Sequence, residues 1–157
     1  MNQTNAMQIE FESRSQNEAF ARTVVAAFAA SLDPTIEELA DLKTAVSEAV
    51  TNSIIHAYED VIGIITIRCK IYDNEVMIEI EDQGVGIKDI KKALEPLYTT
   101  RPELERSGMG FSFMEAFMDE LEVESIYKKG TIVRMKKKVG KPNIGSNYGC
   151  QIKKEVI

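Results

Sequence analysis

Residues 61–86 read VIGIITIRCKIYDNEVMIEIEDQGVG, and this stretch decides the architecture. Positions 61–72 are β-branched and strand-like, and Val76, Ile78 and Ile80 alternate with polar residues as a return strand. Asp73-Asn74 between them is hairpin chemistry. Strands joined this tightly run antiparallel, whereas a doubly wound parallel sheet would place a helix between them. The stretch ends on Asp82-Gln83-Gly84-Val85-Gly86, a glycine-bearing loop that lacks the spacing of a Walker A loop.

Working towards the N-terminus, residues 35–57 form a helix. Thr35 caps it, Glu37 and Glu38 lie in its first turn, and Leu39, Leu42, Val46, Ala49 and Ile54 reach the core. Asp33-Pro34 separates it from an earlier helix over about 16–31. That helix has Ser15 and Glu18 as capping partners and Phe20, Val24, Ala27 and Phe28 on its apolar face. Before it, Met7, Ile9 and Phe11 alternate with polar residues as a half-buried strand.

Towards the C-terminus, residues 88–106 read as short-helical and loop-like, interrupted by Pro96 and Pro102. A helix follows from Gly110 to about 120, carrying Phe113, Met114 and Phe117. A second hairpin covers 121–127 and 131–135 around Lys128-Lys129-Gly130, and a mobile tail is expected from 139 to 157. The order is strand, two helices, hairpin, loop-rich insert, helix and hairpin. It predicts a two-layer α/β sandwich over residues 1–138, with a mixed, mostly antiparallel sheet and helices on one face.

Composition bounds the function. The chain has 157 residues, 44% hydrophobic and 28% charged, which suits one soluble domain. Its longest apolar run, residues 24–32, is about half of what spans a bilayer. No secretory signal is visible, so neither a membrane nor export is expected and the address is cytoplasmic. A net charge of −6 argues against direct nucleic-acid binding, and Lys136-Lys137-Lys138 reads as a solvated strand end. Cys69 and Cys150 have neither disulfide-framework nor zinc spacing.

Three motifs carry chemistry. Glu48 and Asn52, four apart in Ser47-Glu48-Ala49-Val50-Thr51-Asn52, share a helix face. An amide oxygen suits Mg²⁺, and a carboxylate can take the proton of an attacking hydroxyl. Alone, this spacing far more often describes an ordinary polar face. Asp82, with Gly84 and Gly86, offers an acceptor for an exocyclic amine and lets a ligand approach the backbone. Arg106-Ser107-Gly108-Met109-Gly110 opens a helix with free amides and a guanidinium, an anion cradle. The polar loop before it, with Thr99 and Thr100, has the character of a lid. His56, the chain's single histidine, is read as structural or at the site's edge rather than as a phosphoacceptor.

In this order, with Gly130-Thr131 at the last hairpin, the motifs resemble the nucleotide-binding boxes of the GHKL ATPase superfamily, which includes gyrase and the histidine kinases. The runs 47–52, 55–58 and 99–111 resemble one branch of it, the anti-sigma-factor serine kinases, and the likeness covers about residues 7–138. Arg101 stands where that pattern has Lys, keeping the charge. The resemblance implies ATP/ADP and Mg²⁺ as ligands, with Glu48 as base and Asn52 on the metal. It implies that Asp82 reads adenine beside Gly84 and Gly86, with Thr131 supporting its water network. Thr99, Thr100, Arg106, Ser107, Gly108, Met109 and Gly110 would close over and hold the phosphates. Implied partners are a sporulation sigma factor (sigma F-like), an anti-anti-sigma factor as serine phosphoacceptor, and a second copy in a homodimer. Arg22 would contact a partner. A module that clamps sigma under ATP without turnover stays open as the alternative, as does a general-stress kinase of the same branch.

Overall fold

The computed structural model describes residues 3–95 and 110–140 and, as backbone, 151–156. The chain runs β1 (Gln3–Glu12), α1 (Asn17–Ala29), α2 (Ile36–Asn52), β2 (Ile64–Tyr72) and β3 (Glu75–Asp82). It continues through α3 (Ile90–Ala93), α4 (Gly110–Phe117), β4 (Glu120–Ile126), β5 (Gly130–Lys138) and β6 (Gln151–Val156). The strands form one sheet in the order β1-β2-β3-β5-β4-β6. Every pairing is antiparallel except that of β4 with β6. The quoted stretch is indeed a hairpin, with Tyr72 opposite Glu75.

Alternation gives the sheet two unlike faces. One buries Ile65, Ile67, Cys69 and Ile71 of β2, Val76, Ile78 and Ile80 of β3, Leu121 and Val123 of β4, and Val133 and Met135 of β5. Leu42, Ala45, Val46, Ala49 and Val50 of α2, with Met114 of α4, join the same core. Helices therefore cover this face. Burial there pushes the Cys69 thiol up to about 12, so it acts as a small apolar side chain. The opposite face carries charge. Arg68 reaches Glu79 at 2.8 Å and Glu81 at 2.6 Å, and Arg134 reaches Glu79 and Glu122 at 2.8 Å and Glu124 at 2.6 Å. Burial works against an ionised Glu79, but the two guanidiniums outweigh it and hold the group below the usual carboxylate range.

Local chemistry departs from the sequence reading in several places, and β2 begins at Ile64 rather than at 61. Thr35 caps α2 as expected, and Glu38 reaches back to complete a reciprocal capping box. At α1, however, Gln16 is the N-cap and no side chain caps it. Ser15 offers only its carbonyl, while Glu18 turns to Arg22 and Ser47. The fully buried face of α1 is Ala21, Val25, Ala26 and Ala29; of the expected set, Val24 and Phe28 are half-buried and Phe28 packs against the core, while Ala27 is exposed and Phe20 is 51% exposed and meets Phe11 edge-on at 6.3 Å. Small residues on this face suit close packing of α1 against α2, and Phe20 is left at its edge. Helix α4 ends at Phe117 rather than near 120, because Asp119 already donates to Lys136 of β5. The stretch beyond residue 139 includes β6, six residues too short and charged to read as a strand. No helix among the described residues is long and apolar enough to cross a membrane.

Candidate nucleotide site

Helix α2 does not run straight to residue 57. After Asn52 it widens into a π-helical turn, Ser53–Ala57. Such turns are uncommon and gather at functional sites. This one turns Ser53 towards the sheet, where its hydroxyl donates to Asp82 Oδ2 at 2.9 Å. The helix motif and the strand-end motif, 29 residues apart in sequence, are thereby joined.

Asp82 closes β3 at 6% exposure. Desolvation raises its pKa, while the Gly84 amide, the Ser53 hydroxyl and the Thr131 amide pull the other way. The Gly84 amide reaches Oδ1 at 3.0 Å. A Cβ on Gly84 would lie 2.2 Å from the Ala57 carbonyl oxygen, an approach only glycine permits. The Val85 amide donates to that same carbonyl at 2.9 Å. Gly86 sits at φ 71, with the Ile126 carbonyl 2.2 Å from where its Cβ would be. Tyr58 braces the loop: its hydroxyl accepts from the Gln83 amide at 2.9 Å and donates to the Ile64 carbonyl at 2.6 Å.

Glu48 and Asn52 are half-buried on α2 and face the first residue of α4. A Cβ on Gly110 would lie 3.2 Å from Asn52 Nδ2, 3.3 Å from Asn52 Oδ1 and 3.3 Å from Glu48 Oε2. The amide–carboxylate pair thus stands directly under a helix N-terminus, where unpaired backbone amides favour anions. Among the described residues no group of three or more His, Cys, Asp or Glu could hold a metal by itself. One amide oxygen beside one carboxylate fits Mg²⁺ carried in largely by phosphate and water, which is how that ion is commonly bound.

Of the residues singled out in the sequence, Glu48, Asn52, Asp82, Gly84, Gly86, Gly110 and Thr131 meet at one end of the sandwich. Thr131 lies opposite Asp82 in the β3–β5 register. Thr99, Thr100, Arg106, Ser107, Gly108 and Met109 lie outside the described residues. Arg22 lies apart on α1, paired with Glu18 at 3.1 Å; Glu18 also accepts from Ser47, next to Glu48. Sequence reasoning missed Ser53, Tyr58 and Ser125. Ser53 follows Asn52 directly and could have been found by asking what ends the helix; Ser125 gave no signal.

The sandwich, the π-turn and the helix terminus over Asn52 define an ATPase domain of the histidine-kinase type. A family model described as the histidine kinase-like ATPase domain matches residues 11–137. An anti-sigma F factor of Caldanaerobacter subterraneus subsp. tengcongensis is 67% identical over 141 residues, 90% of this chain and 99% of that protein. One from Clostridium botulinum (strain Alaska E43) is 68% identical over 135 residues, 85% of this chain and 94% of its own. A solved structure of the RsbU and RsbW domains of a Mycobacterium tuberculosis protein has the same fold at TM-score 0.64 and 20% identity. It covers 88% of this chain, which spans 34% of that one. The chain belongs to the histidine kinase-like ATPase family, in its anti-sigma F factor branch.

Proposed function

We propose that this chain is an ATP-dependent serine-protein kinase that also binds and holds inactive a sporulation sigma factor, as its anti-sigma F relatives are named for doing. The observation that carries the kinase half is the Glu48–Asn52 pair under Gly110 at the α4 N-terminus. Mg²⁺ held by Asn52 would supply charge neutralisation at the phosphates. Asp82 accepts from the adenine amino group, and Gly84 and Gly86 leave room for the base. Arg106, Ser107, Gly108, Met109 and Gly110 cradle the phosphates, with Thr99 and Thr100 in the covering loop. Glu48 takes the hydroxyl proton of a serine on an anti-anti-sigma factor as that oxygen attacks the γ-phosphorus; ADP leaves and phosphoserine remains.

The second activity needs a surface rather than a base. Arg22, fixed by Glu18 on the helix beside α2, is the candidate contact with a protein partner. A homodimer in the cytoplasm is part of the same reading.

The test mixes purified protein, Mg²⁺, γ-labelled ATP and a candidate anti-anti-sigma factor. Label moves to the partner's serine, is lost in Glu48→Gln with ATP still bound, and is lost with metal-dependent ATP binding in Asn52→Ala. Binding of ATP and sigma with no transfer of label would leave a nucleotide-gated clamp instead.

A further inference from the structure

Asp82, Thr131 and Ser125 form a row across three neighbouring strands, all on the helix-covered face. Asp82 of β3 is opposite Thr131 of β5, and Thr131 is opposite Ser125 of β4. All three are buried, Ser125 to 1% exposure. A hydroxyl so deep in a sheet must place its single proton somewhere, and its three neighbours fix where. The Ile87 amide can only donate, and it reaches Ser125 Oγ at 2.7 Å. The Gly130 carbonyl can only accept, and it lies 3.0 Å away. Thr131 Oγ1 is 2.8 Å away and can do either. One assignment alone makes all three contacts hydrogen bonds. Ser125 gives its proton to Gly130, and Thr131 gives its own to Ser125.

Thr131 then has only lone pairs left to offer, and it stands next to the carboxylate of Asp82, already an acceptor. We propose that Ser125 is a positioning residue that holds Thr131 as a hydrogen-bond acceptor, making the base pocket selective for purines with a 6-amino rather than a 6-oxo group. The inference rests on the nucleotide reading above and adds to it the device that sets the pocket's polarity. A 6-oxo purine would point an acceptor at two acceptors. Without Ser125, the Thr131 proton swings free and can meet that oxygen.

The test measures ATP and inosine triphosphate dissociation constants, by displacement of a fluorescent adenine nucleotide, together with melting temperature. Wild type is compared with Ser125→Ala, Ser125→Thr, Thr131→Val and the Ser125→Ala/Thr131→Val double variant. Ser125→Ala lowers the preference for ATP over inosine triphosphate by roughly fivefold, the scale of one hydrogen bond. Ser125→Thr, which keeps the hydroxyl, restores it. In the Thr131→Val background Ser125→Ala changes the preference no further, because the effect runs through Thr131. An unmoved preference in Ser125→Ala, with or without a lower melting temperature, overturns the proposal and leaves the nucleotide site standing. An equal drop in the Thr131→Val background overturns it too. Wild type that binds neither nucleotide brings down the nucleotide reading and this inference together.

Discussion

Asp82, the proposed adenine acceptor, shows what a buried carboxylate costs a fold at the level of one side chain. Burial raises its pKa more than its three donors lower it, so the folded chain protonates it more readily than the unfolded chain does. The sign follows from linkage. Below the unfolded carboxylate value, about 3.9, both states are protonated and the group is silent. As pH rises towards the folded value the unfolded chain ionises first and stability falls, and above that value a constant penalty remains. Asp82→Asn removes this penalty and keeps one oxygen to accept from Ser53 or Gly84. We expect its melting temperature at pH 7 to stay within a few degrees of wild type or to rise, while ATP affinity, read by titration calorimetry, drops at least tenfold. A large fall in melting temperature would mean that Asp82 is there for structure. Tyr58 is the opposite case. Its hydroxyl satisfies the Gln83 amide and the Ile64 carbonyl, and its ring fills the space left by Gly63. Tyr58→Phe keeps the ring and strands both backbone groups, a loss of about 1–2 kcal/mol by chemical denaturation.

Helix α4 begins on Gly110, a residue that costs a helix about 1 kcal/mol relative to alanine. Gly110→Ala should therefore firm up the helix, yet its methyl group would press on Asn52 and Glu48 at 3.2–3.3 Å. The expected result is an unchanged or higher melting temperature with weaker Mg²⁺-ATP binding, a split that a purely structural glycine would not give. On the far side of the sheet, Arg134 separates Glu79, Glu122 and Glu124. Arg134→Ala leaves three carboxylates facing one another and should cost about 1–2 kcal/mol, less than a fully buried pair because the face is partly hydrated. The deficit should shrink in urea titrations at 1 M salt, which screens the repulsion. These elements also show what the chain reveals of itself. The 73–74 turn and the Thr35 cap were legible because each is a local signal that tertiary contacts had no reason to override. The face of α1 was not, since four small residues packed on α2 only outrank Phe20 once that partner helix is in place. The π-turn after Asn52 was invisible for a related reason: Ser53–Ala57 has the composition of plain helix, and Ser53 meets its partner Asp82 only once the sheet is in place. The shared face of 48 and 52 could be read from spacing, while Ser125, a lone serine in a strand, acquires meaning only across three strands.

The whole molecule places its candidate site where parts distant in sequence come together over one core. Helix α2, the ends of β3 and β5 and the start of α4 come from residues 36–52, 75–82, 130–138 and 110–117. They converge at one end of the sandwich, joined there by the Ser53–Asp82 bond and the backbone contacts of the glycine loop. A ligand touching all of them binds the folded chain and not the unfolded one, so it must stabilise the fold by mass action. At a free ATP concentration about a hundredfold above its dissociation constant, the gain is about 2.7 kcal/mol. For a domain of this size that corresponds to a rise in melting temperature of roughly 5–10 °C with Mg²⁺ present. The shift should fall to about half or less in Asp82→Asn, where the proposed acceptor for the base is lost and affinity drops at least tenfold. It should shrink in Asn52→Ala, in proportion to the metal's share of binding. It should survive in Glu48→Gln, because a base for the hydroxyl proton contributes to transfer and not to nucleotide affinity. If Glu48→Gln cut the shift along with the others, Glu48 would belong to the binding of nucleotide or metal, and the proton of the attacking serine would need another acceptor.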